Sequence, residues 1–192
     1  MASSADSFRY PSTTPTGVDA LAWTELPTPE PKAGEVLIEI KAASLNFPDL
    51  LIVQNQYQIK PPLPFVPGAE YAGVVRAVGE DVKHLQPGQN VACLSGTGGF
   101  GTHTIAQAAL CMPLPPGFAL EDAAAFIMTY ATSHHALIDR GQLQPGETVL
   151  VLGAAGGVGT AAIQIAKARG ARVIAAASSD DKCALCQALG AD

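Results

Sequence analysis

The chain has 192 residues, 48% of them hydrophobic and 15% charged, with a formal net charge of −6. That composition describes a globular chain with enough length for one large or two small domains. The few Lys and Arg form no run, which argues against nucleic acid or an anionic membrane as a partner, and no segment supplies the ~20 uninterrupted apolar residues of a membrane span.

The first fifteen residues, MASSADSFRYPSTTP, lack both an apolar signal core and an Arg-rich amphipathic helix, so the expected compartment is the cytoplasm. Four cysteines, at 93, 111, 183 and 186, suggest no disulfide framework and fit a reducing environment. Residues 1–117 read as all-β. Short alternating runs at 36–42 (VLIEIKA), 73–78 (GVVRAV) and 90–94 (NVACL) are separated by Pro and Gly turns, among them Pro61-Pro-Leu-Pro64 and Pro87-Gly88. Gly96-Thr-Gly-Gly-Phe-Gly101 matches a dinucleotide fingerprint letter for letter. The β-branched alternation of Thr102-His-Thr-Ile105 follows it, however, so a strand is expected there and the segment reads as a β-turn. After Pro113-Leu-Pro-Pro-Gly117 the pattern turns helical over 121–139.

Residues 147–159, ETVLVLGAAGGVG, carry the strongest functional signal. Val149, Leu150, Val151 and Leu152 read as a strand buried on both faces of a parallel sheet. Gly156, Gly157 and Gly159 then leave the backbone bare where it turns and approaches a ligand. The place expected for a first glycine holds Ala154. A helix over 160–169 (TAAIQIAKAR), with Ile163, Ile165 and Ala166 facing inward, ends at Gly170 as a C-cap. Its start offers unpaired N–H groups and about half a positive charge to an anion. The apolar run 171–177 completes a β-α-β unit, and a second helix starts near Asp180. The pattern is that of a dinucleotide site. Two parallel strands would leave apolar surface uncovered, so the chain is expected to be a truncated form of a longer protein. Cys183-x-x-Cys186 reads as two small residues one helical turn apart.

The strand end before that second helix carries Ser178-Ser179-Asp180-Asp181-Lys182. Hydroxyls and one cation suit the 2′-phosphate of NADPH, with Ser179 capping a helix that has Asp180 and Asp181 in its first turn. The competing reading makes Asp180 the acidic ligand of an NADH ribose.

Several stretches in register together resemble the zinc-independent quinone oxidoreductases, the zeta-crystallin-like branch of the medium-chain dehydrogenase/reductase superfamily. They are Ala43-Ser-Leu-Asn46-Phe-Pro-Asp49-Leu-Leu51, Pro64-Phe-Val-Pro67-Gly68-Ala-Glu70-Tyr-Ala-Gly73, Thr129-Tyr-Ala-Thr132-Ser-His-His-Ala-Leu137 and Gly153-Ala-Ala-Gly-Gly-Val-Gly159. The resemblance implies an α/β chain: a GroES-like β-barrel domain (1–117) followed by the first part of a Rossmann domain, a doubly wound parallel sheet (118–192). It places the cofactor between the two domains, and in that family a C-terminal segment completes the first. Zinc-dependent relatives bind their catalytic metal with a Cys near the place of Asn46 and a His just before the Glu matching Glu70. Here those places hold Asn46 and Ala69, neither a zinc ligand in such sites, and the expectation is no metal.

By the same resemblance Asn46, Tyr57 and Asp49 are the candidate catalytic residues. Asn46 and Tyr57 would lie near the nicotinamide, and Asp49 has a helix-capping role as its plain alternative. Cofactor contacts are expected from Thr132, Ala155, Gly156, Gly157, Val158, Gly159, Ser178, Ser179 and Lys182. His134 and His135 are expected to serve the surface or the core. The implied activity is hydride transfer from NADPH to a quinone or α,β-unsaturated carbonyl, a small-molecule substrate, by a full-length homodimer. The rivals are enoyl-thioester reduction and a non-catalytic dinucleotide-binding or structural role.

Overall fold

The structure, a computed structural model, describes residues 7–192 and separates into two units, Met1–Ala125 and Phe126–Asp192.

In the first unit β1 (Ser7–Arg9) and β2 (Thr24–Leu26) pair as an antiparallel ribbon. Beside it a five-stranded antiparallel sheet runs in the order β6-β3-β4-β5-β7. Its strands are β3 (Glu35–Ala43), β4 (Glu70–Val78), β5 (Asn90–Leu94), β6 (His103–Gln107) and β7 (Cys111–Pro113). The three alternating runs read from the sequence are all in this sheet. Val36, Ile38, Tyr71, Val75, Val91 and Cys93 are fully buried and form its core. The β-branched and aromatic members of this set are the residue types that suit a pleated strand surface. The false fingerprint at Gly96–Gly101 turns directly into β6, so no helix start stands behind it.

Short helices complete this unit. α1 (Phe47–Val53) carries Pro48 in its first turn, where the missing N–H is harmless. α2 (Leu120–Ala123) packs against β3, β4 and β5. That packing moves the division between units to Ala125 from the composition break at Gly117.

The helix expected over 121–139 is interrupted by a turn at 124–126. Neither Gly nor Pro marks the break. Ala123 and Ala124 bury in the first unit, whereas Ile127 and Ser133 bury in the second. The second piece, α3 (residues 127–140), alternates π-type turns at Ile127–Ala131 and His135–Arg140 with an α-helical turn at Thr132–His134.

β8 (Thr148–Leu152) and β9 (Arg172–Ala176) then pair in parallel, with α4 (Gly157–Ala168) between them and α5 (Asp180–Ala188) after them. Val151, Ile163, Ala166, Val173 and Cys186 share one core. Ile165 is half-buried, and Gly170 closes α4 with a φ of +79°.

One expectation needs correction. β8 is not buried on both faces: Val151 is buried, but Leu150 is 59% and Leu152 is 75% exposed. Both helices that follow the strands contribute to a single core, which takes Val149, Val151, Val173 and Ala175 from the sheet. Successive strand residues point to opposite faces, so Leu150, Leu152 and Ile174 lie on the other side. Among the described residues no helix is long and apolar enough to cross a membrane.

Ile163 is fully buried under this sheet. Its replacement by Ala is expected to lower unfolding stability by ~2–5 kcal/mol, the usual cost of deleting a buried branched side chain. Equilibrium urea unfolding checks this, and a loss below ~1 kcal/mol would mean that the site collapses to fill the cavity.

Candidate functional site

The second unit places its functional residues where β8 turns into α4. Gly153 has a φ of +62° and takes the turning duty that the sequence pattern assigns to the next position. Ala154 can therefore keep its methyl group, fully buried in the core. Gly156 N–H closes the turn onto Gly153 O at 3.0 Å.

The next two glycines are small because neighbours approach closely. A Cβ on Gly159 would lie 2.6 Å from the carbonyl oxygens of both Gly153 and Ala154, and one on Gly157 would lie 3.1 Å from the Thr129 methyl. The first intrahelical bond joins Thr160 N–H to Gly156 O at 2.8 Å. The amides of 157–159 thus project from the helix start without helical acceptors, as at any α-helix N-terminus.

Gly153, Ala155, Gly156, Ala176, Ala177, Ser178 and Lys182 wall a cavity of about 450 Å³ at this turn. Lys182 Nζ donates to Ser178 Oγ at 3.1 Å, which joins the only two charged or hydroxyl-bearing side chains of that wall. Ser179 is the N-cap residue of α5 but makes no side-chain cap bond. Asp180 and Asp181 occupy the first turn of α5. The bare glycine backbone, the helix start and the cation on one cavity fit a dinucleotide phosphate.

Thr132 is exposed on α3 and lies outside that wall. Its neighbours support the turn instead. Ser133 is buried and donates to Val158 O at 2.9 Å, Thr129 packs its methyl toward Gly157, and Tyr130 OH donates to Gln164 Oε1 at 2.6 Å. The sequence reading passed over Thr129 and Ser133. Their spacing of four places two small hydroxyl residues on one helical face, which was the available signal. His134 and His135 are exposed and meet Asp139, at 3.9 and 3.0 Å.

In the first unit Asn46 and Asp49 come together around the start of α1. Asn46 is the N-cap and Asp49, three residues on, completes a capping box. Asp49 Oδ2 accepts Asn46 N–H and Oδ1 accepts Ala69 N–H, both at 2.9 Å. The Asn46 amide donates to Ser44 Oγ at 2.8 Å and to Glu70 Oε2 at 3.2 Å, while Ser44 Oγ donates to the same Glu70 oxygen at 2.6 Å. Glu70 is fully buried. Ser44 was missed, although its place two residues before Asn46 on an extended segment puts both on one side.

Asn46 and Asp49 also line a cavity of about 380 Å³ whose other walls are Val18, Leu21, Leu45, Phe47, Leu50, Val53 and Phe100. Tyr57 stands apart, half-buried in the bend after α1. Burial pushes the Asp49 carboxyl above its ordinary value and the Glu70 charge adds to the rise, against bonds from the Asn46, Ala69 and Gly68 amides.

The two places where zinc-dependent relatives put metal ligands hold Asn46, whose amide donates to Ser44 and Glu70, and Ala69, which offers only a methyl group.

Residues 32–116 match the family model of the alcohol dehydrogenase GroES-like domain, and residues 157–192 match that of the zinc-binding dehydrogenases. Quinone oxidoreductase-like protein 2 of Rattus norvegicus is 41% identical over 158 residues, covering 82% of this chain and 45% of that protein. The chain therefore spans about half the length of the curated relatives it matches. Among solved structures, the quinone oxidoreductase of Thermus thermophilus, studied with its NADPH complex, is 39% identical. Its TM-score is 0.85, over 96% of this chain and 58% of that one. The CurK enoyl reductase is 33% identical with a TM-score of 0.86, over 97% of this chain and 58% of that one. The first unit is GroES-like and the second is a partial Rossmann-like nucleotide-binding fold.

The raised Asp49 pKa has a stability signature. A native pKa above the unfolded one means that the folded chain holds this proton to higher pH. The group's favourable contribution is therefore present below its ordinary 3.8 and lost as pH rises through the raised value. The stability of the wild type relative to Asp49→Asn is expected to fall over that window. Urea unfolding of both proteins as a function of pH measures it, and a pH-independent difference would contradict the burial argument.

Proposed function

The chain belongs to the medium-chain dehydrogenase/reductase superfamily, and from that premise we propose that it is part of an NADPH-dependent reductase acting on a quinone or an α,β-unsaturated carbonyl without zinc. The observation that carries this reading is the cavity at the β8–α4 turn, with its glycine backbone, helix start and Ser178–Lys182 pair. The amides of 157–159 are assigned to the pyrophosphate, where a helix N-terminus favours an anion. Ser178, Ser179 and Lys182 are assigned to the 2′-phosphate, which NADH lacks. Asp180 and Asp181 sit at the helix start, where an acid is favoured for its own sake, which weakens Asp180 as a ribose ligand. Gly156 and Ala155 supply the close backbone wall, and Thr132 is the remaining contact proposed from α3.

NADPH, when bound, supplies the hydride. The chain's own residues then have to orient the substrate and stabilise the oxygen that gains charge. The Asn46 amide nitrogen already donates to Ser44 and Glu70, so Asn46 and Asp49 are assigned to shaping a mostly apolar substrate cavity. No hydrogen bond to the Tyr57 phenol is found among the described residues, which leaves it as the donor candidate for the developing oxyanion. The relatives named as quinone oxidoreductases support the substrate class, and the soluble, homodimeric, cytoplasmic enzyme is the form we propose for the whole protein. Likeness to the CurK enoyl reductase supports a second reading, reduction of an enoyl thioester.

Titration with NADPH and NADH tests the cofactor assignment. NADPH is expected to bind more tightly, and Lys182→Ala should weaken NADPH by ~tenfold or more, the loss of one charge-assisted bond, while leaving NADH nearly unchanged. Equal or reversed preference would return Asp180 as the ribose ligand. Steady-state assays of the full-length protein with a quinone, an enone and an enoyl-CoA then separate the two substrate readings. Turnover of the thioester alone would select the second.

A further inference from the structure

Cys93 and Cys111 face each other across β5 and β7, which pair in the register Val91↔Pro113, Ala92↔Met112, Cys93↔Cys111. The bond from Leu114 N–H to Asn90 O, 2.9 Å long, marks Asn90 and Leu114 as a hydrogen-bonded pair. Antiparallel pairs alternate, so Cys93–Cys111 is a non-hydrogen-bonded pair, the kind whose Cα atoms stand only ~4.5 Å apart. Pro113, which has no N–H, fits the same alternation. Such a spacing lies within the ~4.4–6.8 Å that a disulfide spans.

The two sulfurs are already 3.2 Å apart, with Cys93 donating to Cys111, and both cysteines are free thiols. Nothing in the proposed reduction uses them. Cys93 is fully buried and Cys111 is 5% exposed. β7 has three residues and lies at the edge of the sheet, and short edge elements open at lower free energy than a core. Cys111 is therefore the sulfur that a small oxidant reaches first. Donation from Cys93 also holds the Cys111 thiol below its ordinary pKa, and that shared proton together with burial pushes Cys93 up.

We propose that Cys93 and Cys111 form a reversible dithiol–disulfide site that takes two oxidising equivalents from a hydroperoxide. The Cys111 thiolate attacks one peroxide oxygen. The O–O bond breaks, an S–O bond forms, and the displaced oxygen leaves as water or an alcohol after taking up the thiol proton. Cys93 sulfur then attacks the sulfenic sulfur of Cys111. The S–S bond forms, the S–O bond breaks, and the hydroxyl departs as water with the Cys93 proton. The two thiols lose two hydrogens and two electrons, and the peroxide gains them. A small dithiol restores the starting state by exchange.

Exposure of the native chain to hydrogen peroxide, followed by thiol alkylation and peptide mass mapping, tests this. Two of the four thiols should disappear, a single Cys93–Cys111 link should form, and dithiothreitol should reverse it. Cys93→Ser should stop at a sulfenic acid on Cys111 that dimedone traps. A Cys183→Ser/Cys186→Ser variant leaves the proposed pair untouched and should form the same link, so the test survives a failure of the core variant to fold. Retention of all four thiols, a Cys183–Cys186 bridge, or irreversible sulfinic acid without a cross-link would each overturn the proposal.

Discussion

The second unit depends on how closely a helix can approach the strand that precedes it. Gly159 lies so near the Gly153 and Ala154 carbonyls that a Cβ would have 2.6 Å of room, well inside the ordinary separation of packed atoms. Removing that one side chain lets α4 start directly against the end of β8. The start is then held from the side by Ser133 on Val158 O and by the Thr129 methyl at Gly157. The glycine turn at Gly153–Gly156 then walls a cavity that Ser178 and Lys182 finish from the end of β9.

The first unit solves a different problem, the burial of two carboxylates near one helix start. Glu70 is fully buried and Asp49 nearly so, and a buried charge is costly unless hydrogen bonds meet it. Asp49 is met by the backbone amides of Asn46, Ala69 and Gly68, and Glu70 by Ser44 and Asn46. The same bonds fix the entry of α1 and the rim of the apolar cavity beside it. Structural satisfaction and site shape are thus one arrangement.

Much of this was legible in the sequence. Four strands of the first unit (β3 to β6), the glycine turn, the Gly170 stop and the second helix at Asp180 follow from local rules, namely side-chain period, turn chemistry and capping. Rejection of the Gly96–Gly101 fingerprint also followed from local order, because a strand and no helix comes next. What sequence reading missed is nonlocal. Ser44 gains its meaning from Glu70, 26 residues away, and Ser133 from Val158, 25 residues away. The break at 124–126 has no Gly or Pro to announce it and separates a helix that packs on β3, β4 and β5 from one that packs on α4.

By itself the sequence determined most element types and the position of the glycine turn between β8 and α4, because glycine spacing, β-branched runs and helix caps act over a few residues. It also set which cofactor chemistry the strand end can offer, since Ser178, Ser179 and Lys182 follow directly on β9. Only the tertiary structure decided that Gly153 and not Ala154 makes the turn. It alone showed that the Asn46 amide donates to Ser44 and to the buried Glu70, and that Cys93 meets Cys111 across two strands. Each of these depends on which chain segment arrives from a distance, and burial, hydrogen-bond partnership and strand register exist only once that segment has arrived.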